Sequence, residues 1–297
     1  MTEAAGAPAC APPDFSPRAP RLRFPSQACD CHAHILGPAS RHPYARDRVY
    51  TPPDCLVPDY RAMLSMLGVE RAVLVQPSVY GTDNTVMLQA LQEAGPAFRG
   101  VAVVDWSIDD AEIAALHARG VRGVRVNVVD VREGKGTLPI VRLAELARRV
   151  APFGWHVELL LHVDEFPDLE RDLADFPVDV VFGHLGYMRA GSGAATPGFR
   201  GLLGLLKAGR AWAKLTGPYR ISHTGLPYAD VLPLAHALLE AAPRQALWGS
   251  DWPHVMLKGP MPNDGDLADL LLDWIPDEGL RQRVLVENPA RLYGFPP

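Results

Sequence analysis

Three histidines and one aspartate combine residue types and spacings that could carry out chemistry. His32 and His34 lie two residues apart, a spacing that puts both side chains on one face of a β-strand. His184 and Asp251 each follow a short apolar run further along the chain. Paired imidazoles can bind a metal ion or hold a substrate oxygen, and a carboxylate facing them can take a proton from water. We therefore predict that Asp251 is a general base and that the three histidines surround the electrophile.

The His32–His34 pair, His184 and Asp251 are far apart in sequence and need elements that bring them together. Runs rich in Val, Leu or Ile alternate with helical patterns, and each run is short enough for a buried parallel strand. The predicted strands are 27–35, 71–77, 98–105, 120–128, 155–162, 178–185, 211–217 and 246–253. The clearest helical patterns cover 59–68, 85–95, 109–120, 138–154, 228–243 and 284–295. Eight strands alternating with helices predict an α/β fold, the (β/α)8 TIM barrel.

A doubly wound open sheet is the main alternative for such alternation. That fold binds nucleotides through a glycine-rich loop after an early strand. The chain contains neither G-x-G-x-x-G nor G-x-x-x-x-G-K-[ST], so the closed barrel is favoured. Active-site groups of a barrel come from the carboxyl ends of its strands, which is where the four residues are predicted to lie.

The composition argues against a nucleic-acid partner and against a membrane span. Of 297 residues 48% are hydrophobic, and the net charge of −5 comes without a concentrated basic patch, so no nucleic-acid partner is expected. No run of about 18 apolar residues that would cross a membrane occurs. Residues 1–24 are rich in Ala and Pro and are predicted to form a flexible arm before a single barrel domain over 25–297. Four irregularly spaced cysteines favour reduced thiols in the cytoplasm, and association into a homo-oligomer is left open.

Motifs around the four residues resemble those of the amidohydrolase superfamily over about 27–295. They are D-C-H-A-H on the first strand, G-H-L-G on the sixth and W-G-S-D-W-P-H on the eighth. The segments 75–78, 81–84, 122–127 and 217–220 resemble, more narrowly, the branch of 2-pyrone-4,6-dicarboxylate hydrolases and sugar-acid lactonases. The resemblance implies a lactonase that opens a carboxylated lactone, either a 2-pyrone-4,6-dicarboxylate-like compound or a sugar-acid lactone.

The same resemblance implies roles for individual side chains. Asp251 would activate water while His32, His34 and His184 polarise the lactone carbonyl. Substrate binding would fall to four further residues, Arg125, Arg220, Tyr50 and Ser78. A guanidinium suits this task because its planar fork pairs with both oxygens of a carboxylate.

Two departures from the branch concern the substrate and the metal. Pyrone dicarboxylate hydrolases carry a tyrosine on strand five and an arginine soon after strand four, whereas this chain has leucines at 159–161 and only an approximate match at Arg132. His162 would complete the ligand set of mononuclear zinc members, which is His32, His34, His162 and Asp251. The branch works without a metal, so we expect no required cofactor, with one zinc ion as the alternative. The alternative activities on the same barrel are a zinc-dependent decarboxylase and a lactone isomerase.

Overall fold

The computed structural model describes residues 7–129 and 137–296, and its centre is a sheet of eight parallel strands. The strands are β1 Cys29–Ala33, β2 Arg71–Val75, β3 Phe98–Ala102, β4 Val121–Asn127, β5 His156–Leu160, β6 Val180–Phe182, β7 Ala211–Leu215 and β8 Ala246–Trp248. Each strand pairs in parallel with the next in chain order. All eight predicted strands are confirmed, each within its predicted run.

Helices follow the strands and cover the outside of the sheet. They are α1 Val57–Leu67, α2 Thr85–Ala94, α3 Asp110–Ala118, α4 Ile140–Val150, α5 Leu169–Leu173, α6 Pro197–Lys207, α7 Leu232–Ala241, α8 Asp264–Trp274, α9 Glu278–Gln282 and α10 Asn288–Tyr293. Alternation of strands and helices confirms the predicted (β/α)8 barrel. Among the described residues, no helix has the length and apolar character needed to cross a membrane.

The barrel closes where β1 meets the end of β8. The Asp251 N–H donates to the His32 carbonyl at 2.8 Å, and the His34 N–H donates to the Trp252 carbonyl at 2.8 Å. A Cβ at Gly249 would lie 2.7 Å from the His32 backbone nitrogen, so only glycine lets the two segments approach this closely. We call this junction the seam. Its hydrogen bonds hold the His-x-His segment directly against the aspartate.

Asp30 strengthens the seam from the β1 side. Its carboxylate accepts hydrogen bonds from the Ser250 backbone N–H at 2.9 Å, from the Ser250 hydroxyl at 2.5 Å and from the Tyr60 hydroxyl at 2.9 Å. Burial nevertheless raises the pKa of Asp30 to about 6. The side chain therefore joins β1, α1 and the segment after β8.

The described part of the predicted N-terminal arm, residues 7–24, contacts the barrel. The Cys10 N–H donates to the Thr51 carbonyl at 2.8 Å, and the Arg18 guanidinium donates to Asp269 on α8 at 2.7 Å. Leu22 is buried in the main hydrophobic core. These contacts fix where the segment lies, and the flexibility of residues 1–24 stays a prediction.

Candidate active site

A cavity of about 100 Å³ lies at the carboxyl ends of the strands. Most of the residues predicted to do chemistry or bind substrate line it: His34, Tyr50, Ser78, Arg125, His184, Arg220 and Asp251. His32 is buried against this group, with its ring centroid 5.1 Å from that of His34 and 4.9 Å from that of His184. The structure thus brings all eight residues together at one end of the barrel.

His184 and Asp251 enter the cavity through unusual backbone conformations. They follow β6 and β8 with φ of +50° and +64°, in the left-handed region that residues other than glycine seldom occupy. The loop after β7 approaches them closely, because a Cβ at Gly217 would lie 2.8 Å from Asp251 Oδ2. Such strain is tolerated where the surrounding contacts hold the backbone, as the seam does for Asp251.

The two oxygens of Asp251 have different surroundings. Oδ2 accepts hydrogen bonds from Arg220 Nε and from the Tyr219 hydroxyl, both at 2.6 Å. Oδ1 has no hydrogen-bond partner among the described residues and lies 3.7 Å from His32 Nε2. Burial raises the pKa of Asp251, but the Arg220 guanidinium, with further contributions from His184 and His32, lowers it by more and holds it well below its usual range. The carboxylate is therefore ionised and presents one unpaired oxygen.

The three imidazoles beside Asp251 are neutral at pH 7. Burial lowers the pKa of His34 to about 3 and holds the pKa of His184 well below its usual value. Burial also lowers the pKa of His32, and the nearby Lys214 ammonium adds to the effect. His34 Nδ1 lies 2.7 Å from the Val75 carbonyl, an acceptor, so Nδ1 carries the proton and Nε2 carries the lone pair.

A divalent metal ion fits part of this group. His32, His34 and Asp251 each offer a ligand atom, and these atoms lie within 4.8 Å of one another. Two of the candidate atoms, His32 Nε2 and Asp251 Oδ1, are buried without a hydrogen-bond partner among the described residues. Imidazole nitrogen and carboxylate oxygen are ligands that zinc accepts. The donor set is thus suited to one ion.

His162 lies apart from these three residues. Its Nδ1 contacts the Tyr187 carbonyl at 2.5 Å, and its ring packs on the Tyr187 ring with centroids 4.5 Å apart. It borders a neighbouring cavity of about 310 Å³. In the described part of the chain the group of potential ligands has three members, without His162.

The predicted substrate-binding residues differ in how many of their polar atoms are already hydrogen-bonded to other groups of the protein. Arg125 donates from one Nη to the Gln76 carbonyl at 3.1 Å, and its Nε is buried without a partner among the described residues. Arg220 uses Nε for Asp251 and one Nη for the Val255 carbonyl at 3.1 Å. Burial raises the pKa of Tyr50 to about 12, so its phenol stays protonated. Arg132, the approximate match after strand four, lies outside the described residues.

Three residues around the site, Tyr219, Glu158 and Lys214, were assigned no role from the sequence. Tyr219 binds Asp251 and also contacts His254 Nδ1 at 2.8 Å. Glu158 and Lys214 lie inside the barrel next to His32. A charged residue in the middle of an otherwise apolar strand is the signal that could have identified the last two, because such a charge is buried only with a partner.

A protein family and several characterised proteins match nearly the whole length of this chain. The sequence profile of the amidohydrolase family matches residues 29–295. The 4-sulfomuconolactone hydrolase of Rhizobium radiobacter is 39% identical, over 98% of this chain and 97% of that protein. The 2-pyrone-4,6-dicarboxylate hydrolase of Comamonas testosteroni is 38% identical, over 94% and 93%. The D-galactarolactone isomerase of Agrobacterium fabrum is 31% identical, over 95% and 96%.

A solved structure agrees with these matches. A protein of Agrobacterium tumefaciens, solved in its apo form, superposes with a TM-score of 0.83 at 30% identity, over 94% of this chain and all of that one. The family match extends from β1 to the segment after α10 and includes the seam and the cavity. The resemblance inferred from D-C-H-A-H and W-G-S-D-W-P-H is confirmed, and the chain belongs to the amidohydrolase family.

Proposed function

We propose that this protein hydrolyses an anionic lactone, either a pyrone or muconolactone carrying acidic groups or a sugar-acid lactone. The observation that carries the proposal is the unpaired Oδ1 of an ionised, buried Asp251 beside three neutral imidazoles. An ionised carboxylate with a free oxygen suits a general base, and neutral imidazoles suit the polarisation of a carbonyl group. Two relatives named as hydrolases of anionic lactones support the choice of substrate class.

The proposed reaction uses a water molecule held at Asp251 Oδ1. The water oxygen attacks the lactone carbonyl carbon while one of its protons passes to Oδ1. The ring C–O bond then breaks, and the proton on Oδ1 passes to the departing ring oxygen. The products are a carboxylate, which releases one proton to solvent, and a hydroxyl or enol group. Arg125 has unpaired donor capacity at the cavity and would bind an acidic substituent of the substrate.

We further propose that this reaction requires no metal, because an imidazole N–H that faces the cavity can polarise the carbonyl itself. If a divalent ion is bound, His32, His34 and Asp251 would hold it, and it would supply Lewis-acid polarisation of the carbonyl. Removal of metal with a chelator, checked by elemental analysis, is then expected to leave lactone hydrolysis intact. Loss of activity that zinc alone restores would contradict the metal-free reaction without contradicting the hydrolase.

The experiment that tests the function is a turnover screen. The panel contains pyrone carboxylates, muconolactones and sugar-acid lactones, and acid release is followed with a pH indicator. We expect hydrolysis of at least one anionic lactone and weaker activity on its uncharged ester. Binding detected by calorimetry without turnover of any member would overturn the proposal in favour of a non-catalytic binding protein.

A lactone isomerase is the second candidate, favoured by the relative that is 31% identical over nearly its whole length. An isomerase moves the ring closure between hydroxyl groups and produces no net acid. The same screen therefore separates the two activities when the products are also analysed by NMR. Conversion of substrate without acid release would favour the isomerase.

A further inference from the structure

Two buried charges lie inside the barrel next to His32. Lys214 is the fourth of the five residues of β7 and Glu158 is in the middle of β5, and both side chains are almost completely shielded from solvent. Lys214 Nζ lies 2.6 Å from Glu158 Oε2, so the two charges form an ion pair. Each buried ion loses its hydration, and the attraction between the two charges must compensate for that loss.

The ion pair meets His32 at one ring nitrogen. Lys214 Nζ is hydrogen-bonded to His32 Nδ1 at 3.3 Å, and Glu158 Oε1 lies 3.4 Å from the same atom. An ammonium group can only donate a hydrogen bond, and a carboxylate can only accept one. A proton on Nδ1 would therefore face Glu158, whereas a lone pair on Nδ1 would face Lys214. The two neighbours favour opposite tautomers of the imidazole.

We propose that Lys214 is a positioning residue that selects the His32 tautomer with the proton on Nε2, and that this Nε2–H donates a hydrogen bond to the lactone carbonyl oxygen. The inference rests on the proposed function and assigns a donor to that reaction. His32 Nε2 is buried, has no partner among the described residues and lies 3.7 Å from Asp251 Oδ1, which places it next to the oxygen proposed to activate water. Of the two neighbours of Nδ1, Lys214 Nζ is the nearer, at 3.3 Å against 3.4 Å for Glu158 Oε1.

His34 supports this division of roles. Its Nδ1 donates to the Val75 carbonyl, which leaves a lone pair on Nε2. His34 therefore accepts hydrogen bonds at the site and cannot donate one to a carbonyl oxygen. A donor for the developing oxyanion has to come from another group, and the fixed Nε2–H of His32 provides it without reorganisation.

The Lys214–Glu158 ion pair also affects whether His32 can bind a metal ion. In the alternative state Nδ1–H donates to Glu158 and Nε2 turns its lone pair toward His34 and Asp251. That arrangement, a carboxylate behind a ligating imidazole, is the one that metal sites use. Lys214 therefore favours a hydrogen-bond donor over a metal ligand at this position.

The test compares the His32 tautomer in the wild type and in Lys214→Met, by ¹⁵N NMR of histidine-labelled, chelator-treated protein. We expect a protonated Nε2 in the wild type and a protonated Nδ1, facing Glu158, in Lys214→Met. The variant should lose about 10²–10³-fold in kcat with little change in KM, as expected for one lost oxyanion donor, and should bind zinc more tightly. The matched control is Lys207→Met, which removes an exposed lysine on α6 and should change none of these quantities.

A second variant covers the case in which an unpaired Glu158 prevents folding. Lys214→Met/Glu158→Leu replaces both charges with apolar groups, a change that folded proteins often tolerate. We expect mixed tautomers and the same loss of kcat. A wild type with its proton on Nδ1, or either variant with unchanged tautomer and kcat, would overturn the proposal. The NMR measurement needs no substrate, so failure of the lactone screen alone would refute the proposed function and leave the tautomer assignment standing.

Discussion

The two carboxylate oxygens of Asp251 have different roles. Oδ2 accepts hydrogen bonds from Arg220 and Tyr219, whereas Oδ1 has no hydrogen-bond partner in the described part of the chain. The anchored oxygen fixes the direction of the free one, and Arg220 keeps the group ionised. A sequence motif can show that an aspartate is present, but it cannot show which oxygen is free. That distinction depends on Tyr219 and Arg220, which reach Asp251 from the segment after β7.

Asp251→Asn should lower kcat for lactone hydrolysis by about 10²–10⁴-fold, because an amide cannot take a proton from water. Steady-state kinetics measure this loss. Thermal unfolding measured in parallel shows whether the variant is also destabilised by loss of the ion pair between Asp251 and Arg220. Asp175→Asn makes the same chemical change at an exposed residue on the outside of the barrel and should retain full activity. Near-normal kcat in Asp251→Asn would rule out the general base.

Arg125 offers a second test at the residue scale, since its Nε is buried at the cavity without a partner among the described residues. Arg125→Lys keeps the charge but loses the planar fork that pairs with both carboxylate oxygens. We expect KM to rise at least tenfold for an acidic lactone and to change much less for the same lactone with that acid esterified. Equal effects on the two substrates would show that Arg125 does not bind the acidic group.

At the scale of elements, the seam is the feature on which the site depends most. Gly249→Ala would bring a Cβ to 2.7 Å from the His32 backbone nitrogen, a contact that must push β1 and β8 apart. We expect a destabilisation of about 1–3 kcal/mol and loss of most activity, because His32 and Asp251 move relative to each other. Denaturant unfolding and kinetics measure the two effects. Gly259→Ala is the matched control, since a Cβ there meets nothing within 4 Å.

The elements also show what the sequence could and could not predict. Buried parallel strands are short, largely apolar runs, so all eight strands were predictable from where Val, Leu and Ile cluster along the chain. Helix α6 was not, because it contains Gly198, Gly201 and Gly204, which weaken a helical pattern. Packing requires the first of them: a Cβ at Gly198 would lie 1.7 Å from the Val163 carbonyl oxygen. Tertiary contact thus overrode local preference.

The candidate site was predictable to the extent that it consists of strand ends. His32, His34, His184 and Asp251 were found because polar residues interrupt apolar runs at the carboxyl ends. His162 fulfils the same criterion, but its ring contacts the Tyr187 carbonyl and not the three residues that could hold a metal ion. Position at a strand end does not fix the direction of a side chain, which depends on the loop that follows.

At the scale of the whole molecule, buried neutral histidines make stability depend on pH. Burial lowers the pKa of His34 and of His156 to about 3, against 6.5 for an exposed imidazole. As the pH falls below about 6.5, the unfolded chain takes up protons that the folded chain does not, so stability is lost progressively toward pH 3. Asp30 acts in the opposite direction between about pH 4 and 6, because burial raises its pKa to about 6.

His156→Leu tests this dependence outside the cavity. The imidazole lies against Tyr293 on α10, with ring centroids 5.3 Å apart, and its nitrogens have no hydrogen-bond partner among the described residues. We expect the fall in the free energy of unfolding between pH 7 and 5 to be smaller in the variant than in the wild type. Denaturant titrations at both values measure it, with His236→Leu on α7 as control. An equal fall in both proteins would contradict a buried neutral His156.

The seam also determines when during synthesis this molecule can become an enzyme. The ribosome delivers His32 and His34 long before Asp251, which follows β8. Until β8 has emerged and docked, β1 and β7 are open sheet edges that invite pairing with other chains. The step that covers both edges is the same step that sets Asp251 against His32. Catalytic activity is therefore expected only after the barrel has closed, and a barrel without β8 is expected both to lack activity and to expose edges that favour aggregation.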